Sequence, residues 1–164
     1  MSTTQQLVAI VLIGVGATAV LDLWLIVLKR LGVPTGSFAL IGRWVAYMAR
    51  GQFRHASIGK ADPANSELAI GWATHYAVGI AFAAVLVALQ GGRWVQQPNF
   101  VPAFLTGVAT AVMPLFVMQP AMGSGIAASK TPTPLKNCAR SVANHAVFGV
   151  GMYLAAIAIK GFIE

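Results

Sequence analysis

The chain has 164 residues, 57% of them apolar and only 9% charged. Soluble domains carry about 25% charged residues, so an ordinary soluble fold is excluded and a compact membrane bundle is expected. The net charge of +7 does not signal nucleic acid, because the basic residues sit between apolar runs and build no solvated basic face. Cys138 is the single cysteine, which excludes an intrachain disulfide and a CxxC site.

Four runs reach the roughly 20 apolar residues that a bilayer crossing needs. The first covers about residues 7–28 and ends at Lys29-Arg30. No Lys or Arg precedes it, and it continues past Ala17-Thr18-Ala19, so it reads as an uncleaved membrane helix and not as a signal peptide. The others cover about 68–89, 100–118 and 139–159. Pro114 is expected to kink the third or to free a carbonyl one turn back.

Residues 29–66 form the longest connection. Within it Phe38, Leu40, Ile41, Trp44, Val45, Tyr47 and Met48 recur at three-and-four spacing, with Arg43, Arg50 and Arg54 on the other side. That pattern predicts a short amphipathic helix in the membrane interface. Arg43, Arg50, Arg54 and His55 make this connection a basic cytoplasmic loop, held near anionic headgroups or, alternatively, binding an anionic ligand. The first and third connections hold nine of the 11 Lys and Arg residues. The positive-inside rule therefore puts them in the cytoplasm and both termini outside.

An internal repeat is suggested in chain order. Ala17-Thr18-Ala19-Val20 matches Ala109-Thr110-Ala111-Val112, and His75 with Gly79 matches His145 with Gly149. The halves, residues 7–90 and 100–161, would be parallel helical hairpins within a single domain spanning 1–164. Gly14, Thr18 and Asp22 are four apart, as are Gly71, His75 and Gly79, and Ser141, His145 and Gly149, which turns Asp22 and both histidines toward helix contacts.

Counted from the expected cytoplasmic span ends at Lys29, Glu67 and Arg140, Asp22, His75 and His145 lie about 8–12 Å deep at ~1.5 Å per residue. The expected layer is Asp22, His75, His145, Asn144, Met118 and Gln119. Three chemistries suit it. One carboxylate and two imidazoles suit a divalent metal on His75, His145 and Asp22. The same groups suit proton transfer. Two histidines also suit axial haem ligation. Against these stands interhelical hydrogen bonding alone, with Asp22 paired to a histidine or to Lys29. Residues 118–132 read either as a re-entrant turn lining a polar cavity or as a flexible cytoplasmic turn. They are not a phosphate loop, since Ser129 stands where that motif needs glycine before the lysine. No catalytic signature is present.

Several stretches carry a resemblance: Gly16 through Asp22 to Trp24, Gly42-Arg43-Trp44, Arg50 through Phe53, Arg54 and His55 to Ile58, and Met118 through Gly123 and Lys130 to Pro132. Together they resemble a family of small bacterial inner-membrane proteins catalogued as domain of unknown function 2938. The resemblance implies four membrane helices and carries no activity, cofactor or site residue with it.

The fold expected is all-α: four transmembrane helices as two tandem hairpins, plus an interfacial helix between the first two spans. The function expected is an inner-membrane protein that binds or passes a small solute, proton or metal ion at its polar layer. The alternatives are a haem- or metal-dependent membrane oxidoreductase and an accessory subunit of a larger membrane complex. The partners expected are membrane lipids, with a second copy or a partner membrane subunit, and no nucleic acid.

Overall fold

A computed structural model describes residues 1–163, with side chains through residue 161. Every regular element among the described residues is helical. Helix α1 (Thr3–Arg30) begins in a capping box. Ser2 Oγ accepts from the Gln5 N–H at 3.2 Å, and the Ser2 N–H donates to Gln5 Oε1 at 2.7 Å. Two amides that no helical turn could satisfy are thereby met, and the apolar run continues unbroken from there. Lys29 and Arg30 occupy the last turn, where positive charge suits the helix dipole.

Among the described residues, four helices are long and apolar enough to cross a membrane: Thr3–Arg30, Glu67–Gln90, Phe100–Ala121 and Pro134–Gly161. The expected short helix is present as α2 (Phe38–Met48), between the first two. The second long helix is α3 (Glu67–Gln90). Leu23, Leu89, Val101, Leu105 and Leu154 are exposed along the long helices, as lipid-facing side chains would be.

Three details go beyond the sequence reading. A short helix, α4 (Gly92–Gln96), occupies the second connection and buries Trp94 and Val95. Gly91 enters it at φ 75°, and Trp94 Nε1 donates to the Asn99 carbonyl at 3.1 Å. The third span runs as α5 (Phe100–Thr110), a π-helical segment (Met113–Met118) and α6 (Gln119–Ala121). Pro114 cannot donate to a ladder, and the span widens to i→i+5 bonding, with the Gln119 N–H on the Pro114 carbonyl, instead of breaking. The last helix, α7 (Pro134–Ile163), starts five residues earlier than its apolar run, because proline is a good first helical residue.

The chain divides into two compact units, and three of the long helices contribute to both. Unit 1 holds Met1–Thr35, Tyr76–Thr110 and the described residues from Ala143 onward. Unit 2 holds Gly36–His75 and Ala111–Val142. In unit 1 the helices touch through small residues. A Cβ on Gly14 would meet the backbone of Ile80, one on Gly107 would meet Gly149 and the His145 carbonyl, and one on Gly151 would meet Ala17. Ile13, Leu86, Val87, Phe148 and Met152 fill the space between these contacts. In unit 2, Gly42 of α2 and Gly71 of α3 each lie against the other helix's backbone.

Close backbone approach leaves no room for side chains, and overpacking costs about 1–3 kcal/mol or more. Gly14→Val and Gly107→Val are each expected to lower the melting temperature in mild detergent. Gly36→Ala, whose Cβ would meet nothing within 4 Å, should leave it unchanged.

Candidate functional site

Unit 1 gathers three interhelical polar pairs. The Tyr76 hydroxyl of α3 donates to Asp22 Oδ2 of α1 at 2.8 Å. Trp24 Nε1 of α1 donates to Asn144 Oδ1 of α7 at 3.1 Å. Thr110 Oγ1 lies 2.8 Å from His145 Nδ1 and donates to the Gly107 carbonyl at 2.6 Å. A hydroxyl has one proton to give, so the His145 proton sits on Nδ1 and points at the threonine oxygen. The His145 ring also faces Phe82. Thr18 donates to the Gly14 carbonyl at 2.8 Å on the face that meets Gly79.

Of the six residues expected in one polar layer, Asp22, Asn144 and His145 belong to unit 1. His75, Met118 and Gln119 belong to unit 2. His75 packs against aromatic rings, 4.6 Å from the centroid of Phe38 and 5.9 Å from that of Trp72. Met118 closes the π segment. Gln119 Nε2 donates to Ser141 Oγ at 3.2 Å. Among the described residues, no three His, Cys, Asp or Glu side chains are grouped as a metal site.

Unit 2 is organised by Arg43. Its guanidinium forks onto the Glu67 carboxylate, Nε to Oε2 at 2.8 Å and Nη2 to Oε1 at 2.9 Å. Nη1 also donates to the carbonyls of Ala61 at 2.8 Å and Ile58 at 3.3 Å. Glu67 in turn accepts from the Ala64 N–H at 2.9 Å. The Glu67 hydrogen bond raises Arg43 further above the ordinary guanidinium value, so its charge is permanent. The sequence reading placed Arg43 with Arg50 and Arg54 on the outward side of α2. The structure corrects this: Arg43 is buried, while Arg50 and Arg54 are exposed. The reason is the glycine contact between α2 and α3, which brings the guanidinium within reach of Glu67.

The two signature loops meet here as well. The His55 N–H donates to the Ala121 carbonyl at 2.8 Å, and the Ile58 N–H donates to the Met122 carbonyl at 3.0 Å. Gly123 lies against the Ala56 carbonyl, where a Cβ would not fit. The Tyr47 ring meets the His55 ring edge-on at 5.0 Å, and the Arg50 guanidinium lies 5.6 Å from the Tyr47 centroid. Residues 118–132 are therefore a tied turn. Thr131 and Cys138 bond the carbonyls of Ala128 and Ala127, and the Lys130 N–H bonds the Ser124 carbonyl.

Sequence reasoning missed Tyr76, Thr110, Trp24 and Glu67. Glu67 left a usable signal, because α2 and α3 each contain one Lys, Arg, Asp or Glu residue, and those two residues are oppositely charged. Arg43→Lys keeps the charge but loses the fork, and Glu67→Gln keeps the shape but loses the charge. Each is expected to lower the melting temperature by several degrees, while Arg50→Lys leaves it unchanged.

A comparison with protein families matches residues 11–159 to one described as a protein of unknown function, DUF2938. No curated protein and no solved structure was found to match the chain. The matched region takes in the three polar pairs of unit 1, the Arg43–Glu67 fork and both joined loops. The chain belongs to the DUF2938 family.

Proposed function

We propose that the chain is a multi-pass protein of a bacterial inner membrane, with both termini outside, that exchanges protons at Asp22 while binding or passing a small polar solute. The observation that carries this reading is the 2.8 Å bond from the Tyr76 hydroxyl to the Asp22 carboxylate. Among the described residues, Asp22 is the one acidic residue well inside a span-length helix, since Glu67 opens α3 and is joined to Arg43. A carboxylate in a bilayer is expensive, and such groups mark proton or solute paths. Protonation removes its charge, and a neutral carboxyl can then donate to the Tyr76 oxygen. Asp22 therefore has a hydrogen-bonded geometry available in both states.

The orientation rests on the nine Lys and Arg residues of the first and third connections. Two parallel hairpins are supported by Thr18 and Thr110, equivalent in the repeat, which bond back to the carbonyls of Gly14 and Gly107. A repeat of this kind fits alternating exposure of a site between halves.

The test uses purified protein in liposomes loaded with a pH-sensitive dye, with a potassium diffusion potential as driving force. The expected result is proton flux above that of empty liposomes, abolished by Asp22→Asn and reduced by Tyr76→Phe. Equal flux in the parent and Asp22→Asn would remove Asp22 from the path.

A further inference from the structure

The joint between the two signature loops of unit 2 contains a local contradiction. Buried polar atoms in folded proteins are nearly always hydrogen-bonded. Among the described residues, two buried side-chain atoms here have no partner: His55 Nε2 and Gln119 Oε1. They lie on opposite sides of the joint, since His55 bonds Ala121, two residues past Gln119. The Gln52 amide meets His55 Nδ1 at 3.4 Å, which leaves the hydrogen of the neutral ring on Nε2, a donor without an acceptor. Gln119 Nε2 donates to Ser141 Oγ, and the other end of the amide, Oε1, has no donor. Closing the joint strips water from both atoms and returns nothing.

The turn behind the joint is strained too. Ala127 and Ala128 hold φ of 49° and 60°, a region that a Cβ disfavours. Against these penalties, two backbone hydrogen bonds cross the joint, from His55 and from Ile58.

We propose that this joint is a latch: the 52–58 segment and the 119–131 turn part and reclose, and opening returns His55 Nε2 and Gln119 Oε1 to water. The latch does not depend on Asp22 exchanging protons. Local strain clusters at switch regions, and a segment that regains water on opening opens at lower free-energy cost.

The chain supplies its own reporter. The His55 and Ile58 N–H groups donate across the joint to the Ala121 and Met122 carbonyls. Deuterium labelling of these two amides, measured on the full chain in lipid nanodiscs, therefore follows opening of the joint. Gly123→Ala sets a methyl group against the Ala56 carbonyl and should speed labelling severalfold. The double variant His55→Phe, Gln119→Met removes both unpartnered atoms at similar volume. It should slow labelling severalfold and raise the melting temperature. The opposite sign in the double variant, or a parent-like rate in either variant, would overturn the latch.

Discussion

In a bilayer, helices this apolar would gain no hydrophobic stabilisation by leaving lipid for one another. What would hold them there is close packing and the few polar groups otherwise left unmet. The structure fits that constraint. In unit 1 the backbones meet at Gly14, Gly107 and Gly151 with no space for a side chain. Only where they come this close can short side chains such as Asp22 and Thr110 find partners on a neighbouring helix. The glycines and the polar pairs are one device, since widening the first would strand the second.

Unit 2 applies the same constraint differently. The Gly42–Gly71 crossing lets one guanidinium satisfy a carboxylate and two loop carbonyls. Arg43 thus ties α2, α3 and the 58–61 turn with a single planar group, which a lysine could not reproduce. The loops that carry the family signature are joined to each other by backbone bonds. Rigidity and tension coexist in this unit: the fork is fully met, while the joint leaves a donor and an acceptor unmet.

The long helices and α2 were legible because apolar length and three-to-four spacing report the environment of each residue directly. The inward turn of Arg43 was not. Amphipathic reasoning assigns a charge to water unless its partner is visible, and Glu67 is 24 residues away. His75 lies among aromatic rings in unit 2, and its neighbour Tyr76 reaches Asp22 in unit 1, a contact that the sequence reading did not name. His145 meets Thr110 of a neighbouring helix, a residue that entered the sequence reading only as part of a repeat. One of the two readings of the turn at 118–132 was a flexible one, because glycine and proline are common in loops. Its order comes from backbone bonds to a distant segment, which leave no side-chain pattern to read.

Asp22 is where the functional reading stands or falls, and its carboxyl can be watched directly. Infrared spectra of the protein in lipid, recorded across a pH titration, report the growth of the protonated-carboxyl band. The expected result is a band that grows on acidification, disappears in Asp22→Asn and moves in frequency in Tyr76→Phe. A titration in which the parent and Asp22→Asn give the same spectra would contradict proton exchange at this residue. The Asp22–Tyr76 bond would then be a helix tie and nothing more.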